Sequence, residues 1–159
     1  MDQPKRDRAQ RPGEFELIAR YFRPLAAGRE GALGLTDDAA LIDIPPGRRL
    51  VVTADALVAG IHFLPEDPPD LIARKMLREN LSDLAAMGAV PLAYLMTCCF
   101  PATLDEAWLA GFAAGLAQDQ QEFAIALIGG DTTATPGPLT LSVTAFGTVA
   151  TGQELRRST

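Results

Sequence analysis

The sequence is poor in the residues that mark several large classes of protein. Its 159 residues include two cysteines, one histidine and one tryptophan. The cysteines are adjacent, at Cys98 and Cys99 in an apolar segment, which predicts two small core residues in a reducing cytosol rather than a zinc site. No apolar run approaches the ~20 residues of a membrane span, and no signal peptide is recognisable. We therefore expect a cytoplasmic protein without a membrane partner.

Positive charge is also scarce. The sequence has 14 lysines and arginines and 20 aspartates and glutamates, which gives a formal net charge of −6. A nucleic-acid-binding surface normally shows a basic stripe, so we expect no nucleic-acid partner. The share of hydrophobic residues, 48%, is ordinary for a globular protein of this length. Residues 1–12 are polar and predict a disordered basic tail, followed by one domain over residues 13–159.

The familiar nucleotide-binding motifs are missing too. The P-loop, the dinucleotide-binding glycine signature and the kinase catalytic loop do not occur. Instead, Asp38 precedes an apolar run, Asp55 closes a second one, and Asp131 follows the run 123–128 through two glycines. Converging carboxylates repel one another unless cations neutralise them, and oxygen ligands without a histidine or cysteine cluster suit Mg²⁺. These residues therefore indicate phosphate chemistry with a metal.

Three motifs leave two interpretations open. Asp83, near the end of a helix, is either a solvated surface residue or a ligand with Asn80 beside it. The glycine pair before Asp131 forms either a tight turn or a backbone that approaches a ligand closely. A lone histidine such as His62 is more often structural, and a functional one here would bind an anionic substrate.

The hydrophobic patterns predict an α+β fold, with a mixed or antiparallel sheet and helices largely on one face. The segments 39–44 and 49–55 are predicted to form a hairpin around Pro45-Pro46-Gly47. The apolar run 123–128 is predicted to be a central strand. Residues 13–22 are predicted to form a short helix that Pro24 stops. Two further helix starts are expected, one with Asp67 as N-cap before two prolines, and one with a capping box from Thr103 to Glu106. The first of these two helices is expected to end at Gly88 and to bury one stripe: Leu71, Ile72, Met76, Leu77, Leu81 and Leu84.

Taken together, the motifs resemble thiamine-monophosphate kinase, a member of the aminoimidazole-ribonucleotide-synthetase-like superfamily of ATP-using enzymes. The resemblance runs in order from about Gly13 to the end of the chain. The segments that carry it are GEFELI at 13–18, DDAAL at 37–41, TAD at 53–55, GIHF at 60–63, NLSDLAAMGA at 80–89 and GGDTT at 129–133.

The resemblance implies direct transfer of the γ-phosphoryl group of ATP to thiamine phosphate, with several Mg²⁺ ions and no covalent protein nucleophile. It implies that His62 contacts thiamine phosphate and that Gly130, Asp131 and Arg157 contact ATP. It also implies a set of metal ligands, with Asp83 bridging more than one ion: Asp38, Thr53, Asp55, Asp83 and Asp131.

The chain departs from the family pattern in sequence and in length. Thr36 stands where the family usually has glycine, and Ala54 stands where a hydroxyl residue is common. The family has a second domain that this chain does not contain, and its N-terminal domains pair sheet to sheet. We therefore expect a homodimer, and we expect this fragment to be inactive alone. The alternatives are another ATP-using member of the superfamily, or a non-catalytic nucleotide-binding or dimerisation module.

Overall fold

The computed structural model describes residues 12–158, so the predicted tail lies outside the described residues except for Pro12. Within the described range, no helix is long and apolar enough to cross a membrane. The chain forms helices and a four-stranded sheet in this range. In chain order the elements are α1 (Glu14–Leu17), β1 (Arg48–Val58), α2 (Pro69–Ala86), β2 (Val90–Pro101), α3 (Glu106–Phe123), β3 (Ala126–Thr135) and β4 (Thr140–Ala150).

The sheet is mixed, with the strand order β1-β4-β2-β3. β4 pairs antiparallel with both β1 and β2, and β3 pairs parallel with β2. Alternate residues of β4 are buried, in agreement with the predicted period-two pattern, and face a core formed with α2 and α3. The predicted α+β fold is confirmed. Among the core residues are Leu57, Tyr94, Phe100, Leu141 and Val143.

The predicted hairpin is wrong. Residues 39–44 form no strand, and β1 pairs with β4 instead, about a hundred residues further along. Ala40 and Ile42 pack against a small cluster that includes Ala93 and Ile128, on the sheet face opposite α2 and α3. The backbone N–H of Leu41 donates to Gly31 O at 2.9 Å, so this segment finds its partner within its own loop.

The predicted central strand is also wrong in its position. β3 is an edge strand of the sheet, paired only through β2 within the described residues. Its apolar run is continuous because the 3₁₀ turns Arg23–Ala26 and Glu30–Leu35 pack beside it and cover part of its second face. Pro24 lies inside the first of these turns, so the N-terminal helical segment continues past the proline that we expect to end it.

α2 begins and ends close to the predicted positions. Pro69 is its first residue, one position later than an N-cap at Asp67 would give, and Pro68 is the N-cap. The carboxylate of Asp67 instead accepts from the backbone N–H of Leu64 at 2.8 Å. Gly88 follows the helix with φ +70°, the left-handed conformation that favours glycine. Leu71 is 50% exposed, so its expected place in the buried stripe is wrong. The rest of the expected stripe is buried: Ile72, Met76, Leu77, Leu81 and Leu84.

α3 is capped by a different residue from the predicted one. Asp105, not Thr103, is the N-cap, and its Oδ1 accepts from the backbone N–H of Trp108 at 2.8 Å. The helix is tied to α2 by a fully buried carboxylate, Asp119. Arg78 donates to both oxygens of Asp119 at 2.7 and 2.8 Å, and Arg74 donates to one of them at 3.2 Å. These ion pairs fix how α2 lies against α3.

Candidate functional site

The first group of predicted ligands lies between β1 and the end of α2. The hydroxyl of Thr53 donates to Asp83 Oδ2 at 2.8 Å. Thr53 and Asp55 alternate along β1, so both side chains face the helix side of the sheet, where each is half-buried. Asp83 is exposed in the last turn of α2, where the helix dipole disfavours an anion. The Thr53 hydroxyl offsets part of that cost and orients the carboxylate.

The second group lies at β3, which is an edge strand of the sheet among the described residues. Asp38, Gly130 and Asp131 line a cavity of about 770 Å³. Its wall is apolar where Ile128 and Leu95 contribute, and polar where the carboxylates open to solvent. Two exposed carboxylates beside a large open cavity can hold a cation together with a phosphorylated ligand.

The glycine pair before Asp131 is not a tight turn, because both residues lie within β3. Gly130 has φ +147°, and a Cβ at this position would lie 1.8 Å from Met96 O. The pairing register of β2 and β3 shifts just before, between Tyr94 and Leu95. The tight-turn interpretation is therefore wrong. The close approach that the structure shows is that of the β3 backbone to β2, and an approach to a ligand stays a prediction.

The turn before Asp38 accommodates Thr36, which stands where the family usually has glycine. Thr36 has φ −120°, which any residue adopts, and its hydroxyl donates to Leu33 O at 2.8 Å. The unusual backbone lies one step earlier, where Leu33, Gly34 and Leu35 all have positive φ values between 49° and 66°. The threonine thus helps to close a strained turn rather than being strained itself.

The two groups do not meet within one chain. Across the sheet, Ala56 pairs with Ser142, Ser142 with Thr97, and Thr97 with Asp131. Asp131 is therefore three strand spacings, roughly 14 Å, from the residue that follows Asp55. The alternation along the strands also places the two aspartates on opposite faces of the sheet. Among residues 12–158, no three His, Cys, Asp or Glu side chains lie close enough together to hold a metal ion.

Asn80 is not a ligand beside Asp83. It is fully buried, and its Nδ2 donates to Met76 O at 3.1 Å, while its Oδ1 has no partner in the structure. Ala54 is exposed and alternates with Thr53, so it lies on the sheet face away from Asp83.

His62 lies in the exposed turn that follows β1. Its Nδ1 accepts from the backbone N–H of Val58 at 3.0 Å, and its carbonyl oxygen accepts from Lys75 Nζ on α2. The sequence analysis does not predict this contact between Lys75 and His62. The four-residue spacing of Lys75, Glu79 and Asp83, which places all three on one face of a helix, was the available signal. Arg157 lies exposed in a turn beyond β4.

Burial shifts the pKa of one side chain that lies outside both groups, that of Tyr94. The phenol of Tyr94 is fully buried without a hydrogen-bond partner in the structure, and burial raises its pKa well above the usual range. The phenol therefore stays neutral and belongs to the core.

A family model described as "AIR synthase related protein, N-terminal domain" matches residues 36–149. The chain belongs to this family. The matched region includes both long helices and all four strands, except for the last residue of β4. It also includes every predicted ligand residue except Arg157.

The relatives of this AIR synthase-related chain include thiamine-monophosphate kinases, which confirms the resemblance seen in the sequence. That of Caulobacter vibrioides is 49% identical over 146 residues, which cover 92% of this chain and 42% of the relative. A crystal structure of the thiamine-monophosphate kinase from Stenotrophomonas maltophilia matches with a TM-score of 0.78 at 46% identity, covering 91% of this chain and 45% of the other. The chain spans less than half the length of the curated relatives it matches.

A further solved structure is described as "AaThiL complexed with AMPPCP and TMP". It matches with a TM-score of 0.64 at 26% identity, over 89% of this chain and 44% of that one. The similarity thus extends to a structure with two bound ligands.

Proposed function

We propose that the chain is the metal- and ATP-binding part of an enzyme that phosphorylates thiamine phosphate to thiamine diphosphate. The observation that carries this proposal is the open cavity at β3, lined by Asp38, Gly130 and Asp131, in a chain similar to thiamine-monophosphate kinases. The relative bound to AMPPCP and TMP supports ATP as the phosphoryl donor and thiamine phosphate as the acceptor. A cytoplasmic location and the role of Arg157 in ATP binding belong to the same proposal.

The donor atoms fit Mg²⁺. All of the proposed ligands offer oxygen, and Mg²⁺ is usually held by one or two carboxylates together with water and substrate phosphates. The pairing of Thr53 with Asp83 and the sharing of one cavity by Asp38 and Asp131 match that demand. When bound, the ions would neutralise the charge that develops on the transferring phosphoryl group.

The residues of the chain supply position rather than a nucleophile. Asp83, held by Thr53, would orient the ions on one side, and Asp131 would do so on the other. Gly130, which lines the cavity, would place the β3 backbone beside the phosphates. His62 would donate to the phosphate of thiamine phosphate, whose own oxygen attacks ATP, so no protein group needs to form a covalent bond.

A homodimer would complete this site. Among residues 12–158, the sheet face away from the helices exposes apolar side chains along β1, where Leu50 and Val52 are 43% and 53% exposed. An apolar face on an edge strand favours pairing with another sheet. If two copies close over these faces about a twofold axis along the strands, the β1 edge of one copy approaches the β3 edge of the other. The edge strand β1 of one copy, which carries Thr53 and Asp55, would then lie near the second group, Asp38 and Asp131, of its partner.

Ligand selectivity tests the proposed substrate. We expect thiamine phosphate, titrated with Mg²⁺ and a non-hydrolysable ATP analogue present, to bind at least about tenfold more tightly than thiamine, because its phosphate contributes charge-assisted hydrogen bonds. His62→Ala should remove most of this preference, and Asp43→Asn, an exposed carboxylate outside both groups, should not. Equal binding of thiamine and thiamine phosphate would overturn the assignment.

A further inference from the structure

Three of the four polar atoms of His62 form hydrogen bonds with neighbouring residues. The backbone N–H of His62 donates to Val58 O at 2.9 Å, and Nδ1 accepts from Val58 N–H at 3.0 Å. The carbonyl oxygen accepts from Lys75 Nζ. The remaining polar atom, Nε2, belongs to a side chain that is exposed to solvent.

This arrangement selects one tautomer. Because Nδ1 accepts a hydrogen bond, it carries the lone pair, and the neutral ring must hold its proton on Nε2. His62 therefore presents a single hydrogen-bond donor to solvent, with the opposite nitrogen fixed to the backbone. A fixed donor of this kind suits the oxygen of an anionic ligand.

Lys75 is the link between this turn and the first group of ligands. Leu71, Lys75, Glu79 and Asp83 follow one another at four-residue intervals, so they share one face of α2. Lys75 and Asp83 are eight residues apart, which is about 12 Å along the helix axis. The same rigid helix thus carries Asp83 at one end of this face and anchors the carbonyl of His62 near the other.

We propose that Lys75 is a positioning residue, which acts through the His62 carbonyl to hold the Nε2 donor at a fixed distance from Asp83. This inference rests on the proposed function for its substrate, thiamine phosphate, but the positioning itself is a property of the free protein. Glu79, whose carboxylate lies 3.8 Å from Lys75 Nζ, is an ion-pair partner of the lysine on α2 itself.

The test uses the single histidine of the chain as a reporter. Nitrogen-15 NMR of the imidazole in weakly basic buffer distinguishes the two neutral tautomers without any ligand. We expect one tautomer, protonated at Nε2, in the wild-type protein. Lys75→Met should let both tautomers appear, Lys75→Arg should restore the single one, and Glu79→Gln should leave it unchanged. An unaltered histidine spectrum in Lys75→Met would overturn the proposal.

Binding gives a second readout that separates this inference from the proposed function. With Mg²⁺ and a non-hydrolysable ATP analogue present, Lys75→Met should weaken thiamine phosphate binding roughly tenfold, the loss of about one oriented hydrogen bond, and leave binding of the ATP analogue unchanged. If the wild-type histidine signals do not respond to thiamine phosphate, the proposed function fails while the tautomer result stands. If the signals respond but Lys75→Met binds as tightly as the wild type, the positioning role fails.

Discussion

Gly130 is the residue at which the backbone constrains the second site most. Its φ is positive, and a Cβ placed on it would lie 1.8 Å from Met96 O, so no side chain fits at this position. Gly130→Ala should lower the free energy of unfolding by about 2–5 kcal/mol, from backbone strain and overpacking together. Gly129→Ala is the matched control, because its Cβ would meet only the flexible end of Leu95 at 3.0 Å. Urea unfolding followed by circular dichroism measures both, and equal losses would contradict the account.

The sequence gives no distances between the proposed ligand residues. Thr53 and Asp83 are hydrogen-bonded, although they are 30 positions apart and nothing in the intervening sequence encodes that contact. Asn80 fails as a ligand because the boundary of the buried stripe on α2 falls between it and Asp83, so residues three apart differ completely in exposure. Spacing along a helix therefore does not predict whether two residues are equally exposed when they lie near the edge of its buried face.

At the scale of the element, the start of α3 gives a direct comparison of two caps. Asp105→Ala should destabilise the protein by about 1 kcal/mol, because it removes the acceptor of the Trp108 backbone N–H. Thr103→Ala should have little effect, since Thr103 lies outside the helix and is exposed. Thermal unfolding of the two variants measures the difference. A larger loss for Thr103→Ala would restore the capping box that the sequence suggests.

The contact between α2 and α3 depends on Asp119, the buried acceptor of Arg74 and Arg78. Asp119→Asn should cost about 1–3 kcal/mol of unfolding free energy, because charge-assisted hydrogen bonds are lost. Replacing both arginines by methionine should cost more, since it leaves a buried carboxylate without a cation. Glu122→Gln removes an exposed partner of Arg78 and serves as the control in denaturant unfolding. A loss in Glu122→Gln as large as in Asp119→Asn would contradict this ranking.

The elements themselves are largely predictable, and their pairing is not. Apolar periodicity predicts α2, α3 and β4, because these segments bury one face each. β1 pairs with β4 across a separation that no local pattern records, so the expected hairpin fails. Likewise, the continuous apolar run of β3 predicts a central strand, although β3 is an edge strand. The run is continuous because 3₁₀ turns that are distant in sequence cover part of its second face.

At the scale of the whole molecule, the exposed apolar side chains along β1 predict association. We expect sedimentation equilibrium to give the mass of a dimer at micromolar concentration. Val52→Asp should shift the chain to the monomer, because it places a charge on the apolar face that the dimer would bury. Leu64→Asp is the control, since Leu64 is similarly exposed, at 58%, in the turn after β1. A monomeric wild-type mass would contradict the dimer and leave the two ligand groups apart.

The central claim is that the aspartates form a metal-dependent site for ATP, and isothermal titration with a non-hydrolysable ATP analogue tests it most directly. We expect binding in the presence of Mg²⁺ and little binding without it. Asp83→Asn should abolish the Mg²⁺-dependent part, because it removes the carboxylate that Thr53 orients, while Asp43→Asn should bind as the wild type does. Binding that is indifferent both to Mg²⁺ and to Asp83→Asn would show that these carboxylates are not the site.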